Sequence, residues 1–353
     1  MMATIAQAIR MALAYGERHL GLKDVFGEDV GPPLGGVFTA TQGLKTAWNS
    51  PLDERGIIGM ATGLGLAGSR CVAEIQFCDY IYNTIDLLKL CGGVSWVSCG
   101  QYAMPIVVLT PVGSGIHGSI FHSHSFDATM TRIPGWKILI PSTALDAFGL
   151  MLSAIRDNNP VMYLVPKALL RAKGPEPIEG EPDDERELKA MIDAPLGDRS
   201  TWEPRWPELT DPEIPIGKAR TCQEGDAATI VSWGRTMPLA VEAARKIADA
   251  DGRRCDVIDL RSLYPYDWQA IAASVKRTGR VLYINEDTEV TNFGEHLVRR
   301  TCDELFYHLQ VRPRMIAGKH VPGIGLSPAL EYVTTPQSVD IEKAIRELVY
   351  EQA

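Results

Sequence analysis

A carboxylate that opens an apolar helix is a candidate acid or base, and Glu54 stands in such a place. The stretch Ser50 to Tyr82 begins SPLDERGIIGMATGLGLAGSR. The Ser50 hydroxyl suits a helix cap and Pro51 the first helical position, which puts Glu54 in the first turn. Glycines at 59, 63, 65 and 68 follow. Each costs about 1 kcal/mol in a helix interior, which makes sense where the helix packs closely against a neighbour. Arg70 to Phe77 reads as a buried strand, with Glu74 and Gln76 on one face. An acid at Glu54 is either a proton-transfer group or a charge that favours the helix dipole, and spacing leaves both readings open. Glu28 closes a short strand that runs into a glycine turn. That is where α/β proteins place ligand groups, and a solvated loop acid is the other reading.

The second cluster is a loop. Gly113 to Ser125 reads GSGIHGSIFHSHS, with three histidines in eight residues. His117, His122 and His124, with Asp127 nearby, supply nitrogen and oxygen donors of the kind zinc takes, but their spacing matches no standard zinc motif. A proton-shuttling histidine is the second reading, and loop histidines without a role the third.

The elements that must position these groups alternate. Pro105 to Thr110 (PIVVLT) is a continuous apolar run, as in parallel strands buried on both faces. Thr41 to Trp48 has helical character, and so has Tyr80 to Cys91. Asp146 to Arg156 is an amphipathic helix stopped by Asp157-Asn158-Asn159-Pro160, and Val161 to Val165 is a strand. Residues 173–216 are rich in proline and acid, a linker by composition, with Trp202, Trp206 and Leu209 able to pack on a surface. From Gly217 strands and helices alternate again: strands at 228–233, 255–260 and 281–285, helices at 238–251, 267–277 and 293–306. This gives two α/β domains, 1–172 and 217–353, joined by 173–216.

Composition narrows the class. The chain has 353 residues, 45% apolar and 22% charged, with a net charge of −9. These values fit a globular protein and argue against a nucleic-acid binder. No apolar run is long enough to span a membrane. The amphipathic N-terminal segment lacks the features of a signal peptide. Seven scattered cysteines without a Cys-x-x-Cys pair suggest reduced thiols in a cytoplasm.

Ser50 to Gly59 and Glu74 to Tyr80 (EIQFCDY) resemble two segments of the β subunits of thiamine-diphosphate-dependent 2-oxoacid dehydrogenases, the E1 component, in their branched-chain form. The resemblance extends to Gly27-Glu28-Asp29-Val30, to the loop around His122, to Val257 to Pro265 and to Arg314 to Leu348. It implies a transketolase-like pyrimidine-binding domain, a parallel sheet with flanking helices, followed by a smaller transketolase C-terminal-like α/β domain. It assigns Glu54 to the cofactor's aminopyrimidine nitrogen, Tyr80 to stacking on that ring, Gln76 to the same wall, Glu28 to a proton path and His122 to proton donation or anion stabilisation. It places a structural monovalent cation, often potassium, at Ala154, Asp157 and Asn159. Mg²⁺ and the diphosphate belong to a Gly-Asp-Gly segment followed by an Asn pair, which this chain lacks. The resemblance therefore implies an E1 α subunit as partner in an α2β2 heterotetramer, with acyl transfer to a lipoyl-bearing E2. Here the usual Gln of the histidine loop is His124, and the segment Cys91 to Gly100 departs from the family. Pyruvate or acetoin dehydrogenase β subunits, a transketolase and a non-catalytic binding subunit are the competing readings.

Overall fold

The computed structural model describes residues 3–195, 197 and 201–352. They form two compact units: one from residues of 1–111 and 132–216, the other from residues of 112–131 and 217–353. The first unit contains β1 (Leu22–Gly27), β2 (Ala47–Asn49), β3 (Arg70–Glu74), most of β4 (Ile106–Val112), β5 (Lys137–Leu139) and β6 (Val161–Pro166). Its helices are α1 (Ile5–His19), the kinked α2 (Gly36–Thr39), α3 (Glu54–Leu66) and α4 (Ile85–Val97), then α6 (Ala144–Arg156) and α7 (Glu185–Ile192); the intervening α5 (Asp127–Thr131) belongs to the second unit.

The apolar runs explain the sheet. β4 and β6 are buried at every position, as strands covered on both faces must be. The strand order is β5-β6-β4-β3-β1-β2. The pairs β1–β2, β1–β3, β3–β4 and β5–β6 are parallel. The winding direction reverses at β1, whose two neighbours are β2 and β3. In open α/β sheets ligands bind outside the carboxyl ends of the strands at such a switch point. α1 and α6 carry much of the apolar core on one face of the sheet.

Local pattern misplaced two boundaries. Ser50 does not cap a helix: its N–H donates to the Gly27 carbonyl at 2.9 Å, which continues the β1 edge. Asp53 is the cap and Glu54 the first helical residue. Thr41 to Trp48 forms no helix: turns follow the short α2 and lead into β2. The segment 173–216 packs into the first unit. Ile178, Leu188, Ile192 and Ile214 are buried in its core, with Trp206 and Leu209 packed against it, and Trp202 lies against Gly43.

Arg10 fastens this segment. Its guanidinium is 2% exposed and donates to the Ile192 carbonyl at 2.6 Å, to Asp193 at 2.8 Å and to the Thr39 carbonyl at 2.7 Å. Burial lowers its pKa, and Asp193 opposes that shift. Truncation to alanine leaves buried acceptors without a donor. Arg10→Ala is expected to cost about 2–4 kcal/mol, read as a lower midpoint in urea unfolding.

The second unit holds β7 (Arg220–Gln223), β8 (Thr229–Ser232), β9 (Asp256–Asp259), the short β10 (Ser262–Tyr264), β11 (Val281–Thr288) and β12 (Arg314–Gly318). Its helices besides α5 are α8 (Thr236–Asp251), α9 (Trp268–Thr278), α10 (Phe293–Leu305), α11 (Pro328–Thr334) and α12 (Ser338–Tyr350). Its sheet runs β12-β11-β8-β9-β7, with β7 antiparallel to β9 and the other pairs parallel. α9 and α8 both end on left-handed glycines, Gly279 and Gly252, the backbone state in which glycine carries no Cβ penalty.

Candidate active site

In the first unit the sequence candidates meet at the β1/β3 switch point. Glu28 directly follows β1, and Gly27 pairs with Glu74 in β3. The approach is close: a Cβ on Gly27 would lie 2.5 Å from the Glu74 carbonyl oxygen. β3 ends at Glu74, and Gln76 lies half-buried in the bend beyond, so the two do not share a strand face as the pattern implied. The chain then turns through the 3-10 segment Cys78–Thr84, which carries Tyr80. The Tyr80 ring meets Phe77 edge-on at 5.7 Å. Arg55, next to Glu54, forms paired bonds to Asp86 at 2.7 and 2.9 Å and one to the Asn83 carbonyl at 2.7 Å. This ties the start of α3 to the segment bearing Tyr80.

Electrostatics register the gathering. The Glu28 carboxyl titrates above the usual range through partial burial, then through the negative fields of Asp29 and Glu54. The Tyr80 phenol is raised by burial, then by Asp79, Glu28 and Glu54. Glu54, half-buried at the first helical position, is thus felt by both partners. A carboxylate pair beside a phenol can hold and pass a proton.

Behind them lies a fourth acid that the reading of motifs left without a role. Glu74 is 1% exposed. Burial pushes its pKa up to about 8, while the Val37 N–H opposes the shift. That N–H donates to Oε1 at 2.7 Å, and Oε2 has no hydrogen-bond partner. The Glu74 carboxyl steadies a strained turn: Val37, Phe38 and Thr39 all have positive φ, at 33°, 47° and 96°. The Phe38 carbonyl accepts from Arg171 and that of Thr39 from Arg10. Non-glycine residues in this region cost roughly 1–2 kcal/mol each.

The glycine-rich helix is only partly close-packed. A Cβ on Gly65 would meet Met104 Sδ at 2.6 Å, whereas Gly59, Gly63 and Gly68 face open space. Met60 and Leu66 on α3 and Leu90, Trp96 and Val97 on α4 are exposed.

The proposed cation ligands are engaged otherwise. The Ile155 and Asp157 carbonyls accept from Arg70 at 2.7 and 2.9 Å. The Asp157 carboxylate takes Lys137 and the Asn159 side chain, which hold its pKa below the usual value against burial. The Ala154 carbonyl accepts from the Asp157 N–H at 3.3 Å. With two of the chain's own cations on these oxygens, Ala154, Asp157 and Asn159 as placed do not fit a potassium cage.

The histidine loop belongs to the second unit. Gly113 N–H donates to the His124 carbonyl at 2.7 Å and closes it. Two glutamates hold its first half. Glu286 Oε2 accepts from Ser114 N and Oγ at 3.3 and 3.0 Å. Glu331 accepts from Gly115 N at Oε1 and from His117 N at Oε2, both at 3.0 Å. His122 Nδ1 lies 3.0 Å from the Gly118 carbonyl. A carbonyl only accepts, so Nδ1 carries the proton and Nε2 is the basic nitrogen. Beyond the loop, Trp233 donates its indole N–H to the buried Asp127 at 2.6 Å, and Ala128 N–H donates to Asp287. Asp127 and Asp287 both titrate above the normal range, chiefly through burial; their proximity raises Asp127 further.

Among the described residues no group of three or more His, Cys, Asp or Glu could hold a metal ion. The zinc reading fails because the donors diverge: His117 faces Glu331 at 3.5 Å, His122 the Gly118 carbonyl and Asp127 the Trp233 indole. No described helix is long and apolar enough to cross a membrane. All seven cysteines are free thiols, four of them buried. Sequence reasoning missed Glu286 and Glu331. Glu286 had a signal, its place near the end of a strand; Glu331 had none.

Residues 2–173 match the family model for the transketolase pyrimidine-binding domain, and residues 217–341 that for the transketolase C-terminal domain. The chain is 32% identical to the 2-oxoisovalerate dehydrogenase subunit beta of Bacillus subtilis (strain 168), over 92% of this chain and 91% of the relative. It is 34% identical to the protein of the same name from Pseudomonas aeruginosa, over 90% and 88%. It is 32% identical to the pyruvate dehydrogenase E1 component subunit beta of Acholeplasma laidlawii, over 99% and 97%. A solved structure described as a split gene transketolase, inactive beta4 tetramer, superposes with a TM-score of 0.71 over 99% of each chain at 19% identity, a likeness of fold. The chain belongs to the transketolase-like family of 2-oxoacid dehydrogenase E1 β subunits.

Proposed function

We propose that this chain is the β subunit of a branched-chain-type 2-oxoacid dehydrogenase E1, acting with an α subunit on thiamine diphosphate and passing the acyl group to a lipoyl-bearing E2. The observation that carries the reading is the gathering of Glu28, Glu54 and Tyr80 at the β1/β3 switch point. Acidic groups beside an aromatic ring suit a flat heteroaromatic ring with a basic nitrogen. Thiamine diphosphate, when bound, supplies the nucleophilic carbon and the electron sink for decarboxylation. In this reading Glu54 holds a proton toward the pyrimidine nitrogen, Tyr80 stacks on the ring, Gln76 lines the same wall and Glu28 passes protons. His122 serves as proton donor through Nε2. The α subunit brings Mg²⁺ and the diphosphate cradle, in an α2β2 assembly. The exposed apolar side chains of α3 and α4 support such a partner, since large apolar side chains exposed together favour an interaction surface.

The test is co-expression with candidate α subunits, then 2-oxoacid-dependent reduction of an artificial electron acceptor with thiamine diphosphate and Mg²⁺. A branched substrate such as 3-methyl-2-oxobutanoate is expected to exceed pyruvate in kcat/KM by roughly 10–200-fold, the discrimination one or two methyl groups allow. Preference for pyruvate would reassign the substrate. Turnover by the purified chain alone would overturn the need for α.

A further inference from the structure

We propose that Glu331 is a positioning residue for His122, setting the ring's orientation through the backbone of the glycine loop. The inference rests on His122 being the proton-transfer group. The connection is continuous. The Glu331 carboxylate spans two amides, Gly115 N–H on one oxygen and His117 N–H on the other, at 3.0 Å each. The next residue, Gly118, presents the carbonyl that takes the His122 Nδ1 proton. That bond fixes the tautomer and leaves Nε2 basic.

The loop needs the grip because its conformation is unfavourable by itself. His117 and Ser119, on either side of Gly118, have φ of 55° and 59°, in the left-handed region that favours glycine. An ionised carboxylate is a strong acceptor for backbone N–H groups. Glu286 grips Ser114 just upstream. Gly113 has to be glycine there: its φ is +82°, and a Cβ would lie 1.9 Å from Glu286 Oε1. Glu331 itself is 7% exposed and sits in the short helix α11. Its charge faces the loop and the His117 ring, 3.5 Å away. Glutamine keeps the shape but turns an NH₂ donor toward one of two N–H donors, so one grip is lost.

The experiment uses the assembled α/β enzyme with Glu331→Gln, His117→Gly and the double variant, alongside His122→Ala. Hydrogen exchange of peptides covering 113–122 is measured on the same samples. Glu331→Gln is expected to lower kcat roughly 10–100-fold with KM little changed, as displacement of a catalytic group does, while assembly and the thermal midpoint hold. Exchange over 113–119 is expected to quicken. His117→Gly, which adopts the left-handed state freely, is expected to restore much of the lost kcat in the double variant. Unchanged kcat in Glu331→Gln with quickened exchange, or unchanged exchange, would overturn the proposal. So would a kcat loss fully explained by lost assembly. Full activity in His122→Ala would instead overturn the reading of His122 on which the proposal rests, whatever the exchange shows.

Discussion

Glu54→Gln in the assembled α/β enzyme is expected to cut 2-oxoacid turnover by roughly 10²–10⁴-fold, the range for loss of a positioned acid or base, and to leave the fold intact. Glu54 occupies the first turn of α3, where it is half-buried. Removing a negative charge there forfeits only about 0.3–1 kcal/mol of helix-dipole stabilisation. Glutamine keeps a hydrogen-bonding tip of the same length but cannot share or release a proton. The loss should therefore appear in kcat at saturating cofactor, with the circular dichroism spectrum, melting temperature and α/β assembly unchanged. It also has an electrostatic signature. Glu54 helps raise the titrations of Glu28 and Tyr80, so the variant should bring the Glu28 carboxyl back toward the ordinary range. Full turnover in Glu54→Gln would move the acid elsewhere, with Glu28 the next group in the cluster. Loss of assembly together with activity would make Glu54 a structural charge.

Much of this architecture is written locally, and the rest is written at long range. β4 and β6 are continuous apolar runs, and α6 is a capped amphipathic repeat. Such patterns need no partner to be read, and in the second unit the elements fall within a few residues of their pattern. The start of α3 could not be read that way. Ser50-Pro51 is a sound helix opening, but the Ser50 N–H is claimed by Gly27, 23 residues back. The segment 173–216 looked like a linker because its helix is eight residues long, too short to show a period. Its anchors, Ile178, Leu188, Ile192 and Ile214, are dispersed, and its buried partner Arg10 lies in the first helix. The candidate residues divide the same way. Glu54 and His122 announce themselves beside glycines and in polar loops. The acceptors that hold the histidine loop are 172 and 216 residues away in the chain. A single glutamate in a short helix has no local context that marks it as a loop clamp.

Glu74 is expected to make the chain lose stability as the solution turns alkaline, and Glu74→Gln to abolish that loss. The carboxyl is buried, and its pKa is raised from 4.5 to about 8 chiefly by burial. In the unfolded chain it releases its proton near the ordinary value. In the folded chain it keeps the proton until about pH 8. The contribution is therefore complete below pH 4.5 and is lost progressively as pH rises through the folded value. At about 1.4 kcal/mol per unit the window corresponds to an upper bound of roughly 5 kcal/mol. Asp127 and Asp287 are also raised by burial and add their own alkaline slopes, so the informative quantity is the difference between wild type and variant. Glutamine preserves an oxygen for the Val37 N–H, and any misfit of its NH₂ beside Gly36 is the same at every pH. It cancels when the gap in unfolding free energy at pH 8.5 is compared with the gap at pH 5. That gap should shift by several kcal/mol in favour of the variant. An unchanged gap would show that Glu74 ionises alike in the folded and unfolded chain. The consequence reaches the candidate site, because Glu74 stands on β3 beside the end of the strand that delivers Glu28. A neutral acid there adds no further negative charge to the Asp29 and Glu54 fields that Glu28 already feels.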